Sequence, residues 1–445
     1  MLPPLPKLSQ YGISPEYGFL PADLPLERLP DPYYNKWEAI NANLQGLILS
    51  KRLRGVIDRL PVLSTAGLEH DSEWRRAYSL LCFMAHSYIW GGDSPEENLP
   101  PSITVPLLHI SNYLEVPPVA TYAAVCLWNF KPLFADEHVD NLENLATLTT
   151  FTGSIDESWF YLVSVAIEAR AAPVLPLMLT AIEAARKNDS KTVTSCLRTF
   201  AERIDDLGTL LQRMHESCDP HVFYNRIRPF LAGSKNMEEA GLPNGVFYDE
   251  GIEHRPTGEK KDAASESEAE GAAPRTKHNF LLEMRKYMPG AHRRFLEDMT
   301  VVANIRGYVE AHTDNHELCL AYDACLAMLR TFRDKHIAIV TRYIVIKSRE
   351  SHTHSRSMSP EATRSRKVDI ATASRGKGDD EEKKRKLKGT GGTALIPFLK
   401  QARDETGEPT IDSWARRVMN RDLNTMGKGD FFVGNWMNNL MGNWN

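Results

Sequence analysis

The sequence contains few cysteines, and their spacing does not pair them. Six occur in 445 residues. Only Cys319 and Cys325 lie close together, and their spacing is not CxxC. This distribution is typical neither of a disulfide-rich secreted domain nor of a zinc site. The cysteine content therefore indicates a reducing compartment.

Long apolar runs and a strong net charge are also missing. No apolar run approaches the roughly 20 residues that span a bilayer, and the N-terminus (MLPPLPKLSQ) lacks the apolar core of a signal peptide. A formal net charge of -5 gives no support for a nucleic-acid partner. We therefore expect a cytoplasmic protein that binds neither membranes nor nucleic acid.

Patterns typical of β-strands are nearly absent, whereas amphipathic helical patterns recur along the chain. The sequence predicts an all-α protein with a smaller N-terminal helical domain (1–115), a large helical domain (116–400) and a C-terminal extension (401–445). Residues 1–35 are rich in proline and predict an extended arm. Helices are predicted over 37–60, 72–90, 157–172, 175–187, 191–218 and 318–346, with one more after the prolines at 117 and 118.

Two segments have too few apolar residues to offset the entropy of ordering them. Residues 251–277 and 348–388 are rich in charged and small polar residues, and both are predicted to be disordered insertions. The basic run at 383–386 is either part of a solvated loop or a signal or docking patch for an acidic partner.

A histidine interrupts the apolar face of the last predicted helix. His336 shares a stripe with Phe332 and Tyr343, and Arg333 lies three residues earlier, one helical turn away. The imidazole is either a core histidine with a hydrogen-bond partner or a ligand of a metal or haem iron. A guanidinium beside an axial histidine suits a haem propionate, and a surface salt bridge is the other interpretation of Arg333.

Eight stretches of the chain, in order, carry a family resemblance. They are PEYGFLP (15–21), HSYIWGG (86–92), LEVPPVATYAA (114–124), WFYLVSVAIEARAAPVLP (159–176), FYNRIRPFLAG (223–233), FLLEMRKYMPGAHRRFL (280–296), AYDACLAMLRTFRDKHIAIVTRYI (321–344) and KGTGGTALIPFLK (388–400). On these stretches the chain resembles the indoleamine 2,3-dioxygenase family of fungal type, the haem enzymes that open the indole ring of tryptophan.

The resemblance implies a function and a cofactor. It implies a monomeric enzyme that holds haem b and takes electrons from a donor to reduce it. It also implies that O₂ and L-tryptophan are converted to N-formylkynurenine, the first step of the kynurenine pathway toward NAD. His336 matches the proximal haem ligand, and Arg333 matches a residue that pairs with a propionate.

The resemblance also implies a substrate pocket. Ser164 matches the distal serine, Phe223 the residue that packs on the indole, and Arg228 the residue that binds the substrate carboxylate. An arginine suits that task because its fork meets a carboxylate bidentately, although Arg226 is a second candidate by composition. The remaining matches in the pocket are Tyr122, Phe160, Tyr161, Tyr224 and, in a glycine-rich loop that could close over the substrate, Thr390. For the aromatic residues, core packing is the other interpretation. For Ser164 it is a bond from the hydroxyl to the carbonyl four residues earlier, and for the glycine-rich loop it is a plain flexible linker.

The sequence departs from the family at one segment. A Gly-Gly-Ser-Ala-x-Gln-Ser-Ser motif, part of the family's pocket wall, is absent, and the charged 251–277 tract takes its place. This departure supports a second hypothesis, a haem-binding family member without turnover that acts as a sensor or signalling protein. A third is a helical scaffold whose basic loop docks an acidic partner. Tyr224 also replaces the usual phenylalanine, which adds a hydroxyl group to the pocket.

Overall fold

A computed structural model describes residues 2–233, 237–251, 282, 284–354, 395–407 and 409–411. The all-α prediction is confirmed, because helices account for most of the described chain. Thr390, the 383–386 basic run, nearly all of the 251–277 tract and the last 34 residues, 412–445, lie outside the described residues.

The N-terminal half begins with an arm and five helices. The arm carries short 3₁₀ turns at Leu8–Tyr11 and Pro32–Tyr34, and Leu8 and Ile13 pack into a core cluster with Phe295. The predicted extended arm is therefore confirmed. The helices are α1 (Asn35–Ala42), α2 (Leu44–Leu49), α3 (Leu53–Ile57), α4 (Asp71–Trp90) and α5 (Pro101–Leu114).

The second half is built from longer helices. They are α6 (Ile155–Ala171), α7 (Val174–Arg186), α8 (Ser190–Gln212), α9 (Met214–Ser217), α10 (Pro220–Val222), α11 (Gly290–Val302), α12 (Ile305–Ala311), α13 (His316–Val340), α14 (Lys347–His354) and α15 (Leu395–Gly407). Two small sheets join distant segments: β1 (Asn98–Leu99) pairs in parallel with β4 (Phe247–Tyr248), and β2 (Phe130–Pro132) pairs antiparallel with β3 (Leu145–Thr147).

Three local predictions are wrong. The single helix predicted over 37–60 is three short helices, because Asn43 and Ser50 bond their side chains to carbonyls four residues earlier, and Lys51 has a left-handed backbone (φ 57°). No regular α-helix follows Pro118. Residues 348–354, predicted to be disordered, continue the helix α14. Helix α5 was not predicted, since Pro101 and Pro106 obscure its pattern.

Helix α8 is the support for the second half of the molecule. It begins with Asp189, whose side chain accepts a hydrogen bond from the Thr192 amide. Helices α6, α7 and α13 all pack against it. The helices that carry Ser164 and His336 are therefore held by a common partner, which fixes their relative position.

The largest core cluster extends from Leu20 to Val246 and includes side chains on both sides of residue 115. The division into two domains near that position stays a prediction. One apolar stretch, Ile155–Arg186, is long and apolar enough to cross a membrane by length and composition alone, which the sequence analysis did not anticipate. It consists of α6 and α7, which meet at Pro173 and both pack on α8.

Candidate active site

Three π-helical turns occur where the sequence places candidate pocket residues. They are π1 (Ala123–Leu127), π2 (Phe223–Ile227) and π3 (Thr341–Ile346). The first directly follows Tyr122, the second contains Phe223 and Tyr224, and the third lies one turn beyond His336. Such turns contain i→i+5 hydrogen bonds and are often found at functional sites.

Turn π2 explains how Phe223 and Arg228 can face the same site. Phe223 and Arg228 are five residues apart, which does not place them on one face of an α-helix. In the structure the Arg228 amide donates to the Phe223 carbonyl, the i→i+5 bond of a π-turn. Residues five apart are stacked in such a turn, so both side chains share one face.

Arg228 lies inside the protein. Its side chain is only 2% exposed, and its guanidinium carbon lies 5.5 Å from the centre of the Tyr224 ring. Arg226, two residues earlier, is exposed. The structure therefore separates the two candidate arginines: Arg228 is in the interior, and Arg226 is at the surface.

An aromatic cluster joins α6, π2 and π3. The ring centres of Phe160 and Phe223 are 4.9 Å apart, and those of Phe223 and Tyr343 are 5.7 Å apart. The Tyr343 hydroxyl donates to the Cys218 carbonyl at 2.7 Å. The cluster links the C-terminal extension of the His336 helix to the Phe223 turn and to the helix that carries Ser164.

Polar groups converge beside Ser164. The Tyr122 hydroxyl donates to the Glu168 carboxyl group at 2.9 Å, and Ser164 lies next to both Tyr122 and Cys126. Burial raises the pKa of Glu168, and burial together with the nearby carboxylate raises the pKa of Tyr122. These shifts favour the uncharged forms.

Tyr122 and His336 each have accessible surface in a protein environment. The Tyr122 side chain is 45% exposed, yet burial raises its pKa strongly. His336 behaves in the same way: its side chain is accessible, while burial alone lowers its pKa. Both side chains therefore present surface that a ligand can contact, with protein atoms around them.

The residues around His336 fit a haem group. In the part of the chain that the structure describes, no hydrogen bond is made by either ring nitrogen of His336. A core histidine normally satisfies those nitrogens. The lowered pKa keeps the ring neutral, which is the form that ligates iron. His336 is one turn before Ile339, which packs with Phe223 and Ile227, so the slot beside the ring is apolar.

Two predicted site residues make other contacts. Arg333 donates to the Ala402 carbonyl of α15, so its guanidinium is engaged by the backbone of a neighbouring helix. Tyr161 is fully buried in the largest core cluster, and its hydroxyl donates to the Glu157 carboxyl at 3.0 Å. Tyr161 therefore belongs to the core side of α6, with its ring centre 5.6 Å from that of Phe160.

Two residues close to the site were missed by the sequence analysis. Glu168 lies four residues after Ser164 on α6, and a carboxylate on an apolar helix face was a usable signal. His86 lies within the HSYIWGG stretch and is 3% exposed. Its ring bonds to backbone groups next to Tyr122 and Arg228, which no spacing in the sequence reveals.

Comparison with known proteins agrees with this arrangement. The sequence profile of the indoleamine 2,3-dioxygenase family matches residues 7–409. An indoleamine 2,3-dioxygenase of Saccharomyces cerevisiae is 41% identical over 427 residues, which cover 91% of this chain and 93% of the relative. An indoleamine 2,3-dioxygenase of Penicillium citrinum is 40% identical over 410 residues (90% and 88%), and a 6-hydroxytryptophan 2,3-dioxygenase of Fusarium equiseti is 36% identical over 411 residues (90% and 97%). The chain therefore belongs to the indoleamine 2,3-dioxygenase family of haem-dependent oxidoreductases.

Proposed function

We propose that this protein opens the indole ring of L-tryptophan with O₂ to give N-formylkynurenine. This would be the first step of the kynurenine pathway toward NAD, carried out in the cytoplasm by a monomer that receives electrons from a donor. The observation that carries the proposal is a pair of side chains: an accessible imidazole without a bonded partner in the described residues, and a buried arginine. The arginine directly follows turn π2, which contacts the extension of the His336 helix through Phe223 and Tyr343.

His336 would hold haem b as the proximal ligand. Bound haem supplies the activation of O₂ that no side chain can provide. The protein contributes a neutral imidazole, whose pKa is lowered by burial, and an apolar slot formed next to Ile339 and Phe223. Arg333, one turn before His336, would pair with a propionate after release of its bond to the Ala402 carbonyl.

Arg228 would bind the carboxylate of the substrate. A buried guanidinium in a low-dielectric site attracts a carboxylate far more strongly than an exposed one, and its fork fixes the orientation of the amino-acid group. Tyr224 packs against the guanidinium and restricts its movement. Thr390, outside the described residues, would contact the amino-acid group when the glycine-rich loop closes.

The indole ring would lie between aromatic side chains. Phe160 and Phe223 form a tilted pair with planes 57° apart, whose rings offer apolar contacts to an indole, and Tyr122 has accessible side-chain surface. Ser164 contributes a small hydroxyl group beside Tyr122, which leaves room for a planar ligand. Water would be excluded from this region by the aromatic cluster rather than by charged groups.

The test is a product assay with purified, haem-supplemented protein, a reductant, O₂ and L-tryptophan. Formation of N-formylkynurenine that requires both haem and reductant supports the proposal. Parallel reactions with 6-hydroxytryptophan determine whether a ring hydroxyl is tolerated, a question raised by the name of the Fusarium relative.

The charged 251–277 tract favours a second candidate function. It replaces a family segment that forms part of the pocket wall, so the protein could bind haem without turning over tryptophan. A haem spectrum that is lost in His336→Ala, together with no product from either substrate, would select this candidate and overturn the dioxygenase proposal.

A further inference from the structure

One face of helix α4 carries four hydrogen-bonding side chains at intervals of four residues. They form a single ridge of the helix, because residues four apart are neighbours on its surface. The ridge faces two backbone segments: residues 117–122, which end at Tyr122 and are called here the Tyr122 arm, and residues 228–232, which begin at Arg228 and are called the Arg228 arm. The ridge residues are Tyr78, Cys82, His86 and Trp90.

The first two ridge residues bond to the Tyr122 arm. The Tyr78 hydroxyl lies 2.7 Å from the Pro117 carbonyl and 2.8 Å from the Val119 carbonyl. The Cys82 thiol donates to the Val119 carbonyl at 3.2 Å. These bonds satisfy carbonyl groups of a partly buried segment that has no regular α-helix of its own.

The last ridge residue bonds to the Arg228 arm. The indole nitrogen of Trp90 donates to the Ala232 carbonyl at 3.0 Å. The neighbouring residue of that arm, Phe230, stacks on Phe151 with ring centres 5.0 Å apart and planes 5° apart. Both ends of the ridge therefore hold one arm each.

His86 bonds to both arms. Its Nδ1 lies 2.7 Å from the Phe230 carbonyl, and its Nε2 lies 2.9 Å from the Ala120 amide nitrogen. A carbonyl can only accept and an amide N–H can only donate. The ring must therefore be neutral, with its proton on Nδ1 and its lone pair on Nε2.

We propose that His86 is a positioning residue that sets the separation of the Tyr122 arm and the Arg228 arm. The inference rests on the proposed function, in which Tyr122 faces the indole ring and Arg228 binds the carboxylate of the same substrate. Ala120 is two residues from Tyr122, and Phe230 is two residues from Arg228. An imidazole is rigid, so its two nitrogens fix the distance between the two backbone groups that they hold.

This role differs from that of an ordinary buried histidine. If His86 only filled space, an apolar side chain of similar volume would preserve the pocket. If it joins the arms, loss of both bonds would let them separate, and a substrate that contacts both arms would bind more weakly while one that contacts a single arm would not.

The first test compares His86→Leu, His86→Gln and wild type. Leucine removes both bonds, whereas the glutamine amide can donate to one backbone group and accept from the other. We expect His86→Leu to raise KM for L-tryptophan about tenfold with a smaller change in kcat, and His86→Gln to restore most of the affinity. The control is Ser87→Ala, since the Ser87 hydroxyl is buried beside His86 and has no hydrogen-bond partner among the residues that the structure describes.

A second readout does not depend on turnover. The amide of Ala120 donates to His86, so its hydrogen exchange should be about tenfold faster in His86→Leu than in wild type, with Ser87→Ala unchanged. Indole, which has no carboxylate and so does not engage Arg228, should bind the His86→Leu protein as it binds wild type.

The outcomes separate the two proposals. If wild type forms no product, the proposed function fails, and the exchange rates still decide the role of His86. The inference is overturned if His86→Leu keeps wild-type exchange at Ala120, or if its KM rises no more than that of Ser87→Ala. Should His86→Leu not fold, His86→Asn replaces it: its shorter amide reaches Phe230 but not Ala120, and a KM equal to that of His86→Gln would overturn the inference.

Discussion

The pocket wall that carries Tyr122 and Arg228 is held to helix α4 by side-chain hydrogen bonds, whereas the helix that carries His336 presents an imidazole that makes no such bond in the described residues. On the first wall, tyrosine, cysteine, histidine and tryptophan side chains all bond to the backbone. On the second, Arg333 bonds to the Ala402 carbonyl of α15.

The difference indicates that the protein alone forms the first wall, whereas the second wall needs a ligand. The first wall has its geometry before any ligand arrives, so little ordering remains when a substrate binds. The second wall leaves the ring nitrogens of His336 without a hydrogen-bond partner in the described residues. A ligand that bonds to them stabilises the folded protein through its binding free energy. The predictions below test this contrast, from the largest expected effect to the smallest.

Removal of the His336 ring should have the largest effect. His336→Ala should abolish stoichiometric haem binding, because the axial ligand is lost, while the fold remains, since the ring makes no hydrogen bond in the described residues. The measurement is haem content per chain after reconstitution, with circular dichroism of the same sample.

His316→Ala is the matched control. His316 is exposed and lies on the same helix, 20 residues or about five and a half turns before His336. Its loss should leave the haem content unchanged. A His336→Ala protein that keeps a normal haem spectrum would show that another group holds the iron.

The two arginines of the π2 region should behave differently. Arg228→Ala should weaken L-tryptophan binding by about 3 kcal/mol, on the order of a hundredfold in KM, because a buried charge partner of the carboxylate is removed. Arg226→Ala should change KM less than about twofold, because Arg226 is exposed. Steady-state kinetics of both variants decides this, and equal effects would contradict the π-turn register as the reason for the choice.

Acid should weaken the bonded wall through His86. Burial lowers the pKa of His86 to about 4, below the roughly 6.5 of an unfolded histidine. The unfolded chain thus binds the proton first as pH falls. The stability from the neutral ring is complete above pH about 6.5 and is lost as pH falls toward about 4, by up to about 3 kcal/mol.

Urea unfolding between pH 7.5 and 4.5 measures this loss. His292, whose pKa burial also lowers to about 4, contributes equally in wild type and in His86→Gln, so the difference between the two curves isolates His86. If the free energy of unfolding changes with pH by the same amount in both proteins, His86 does not couple folding to pH.

The Glu168 carboxyl group should give the smallest effect. Burial raises its pKa, so whatever stability its protonated form contributes is present in acid and is lost as pH rises through the folded pKa. Glu168→Gln keeps an acceptor for the Tyr122 hydroxyl and removes the ionisation. We expect a change within about 0.5 kcal/mol in the free energy of unfolding at neutral pH, checked by chemical denaturation. Adding Tyr122→Phe in the same background separates the contribution of the Tyr122 hydrogen bond from that of the Glu168 charge.

Much of the fold could be predicted from hydrophobic periodicity. Helices α4, α6, α7, α8 and α13 carry regular apolar stripes, and their predicted ends fall close to the observed ones. Helix α5 has a proline inside it, and α1 to α3 are separated by side chains that compete with the backbone. Hydrophobic periodicity contains no information about the internal proline or about these side-chain bonds.

The candidate site was predictable in its residue types but not in their directions. Family resemblance marked Phe160 and Tyr161 together, yet adjacent residues on a helix point about 100° apart, and only Phe160 joins the Phe223 cluster. The role of His86 could not be predicted, because its two partners are backbone groups 34 and 144 residues away, and a backbone group has no sequence signature.

Turn π2 has a consequence for how this pocket can change. A π-turn is an α-helical turn that holds one additional residue, so deleting a single residue between Phe223 and Arg228 would convert it to a regular turn with the arginine four residues after the phenylalanine. Residues four apart lie on the same face of an α-helix, so the two side chains would keep their common face. The turn therefore allows the chain to gain or lose one residue at this position while the anion-binding group stays beside the aromatic ring.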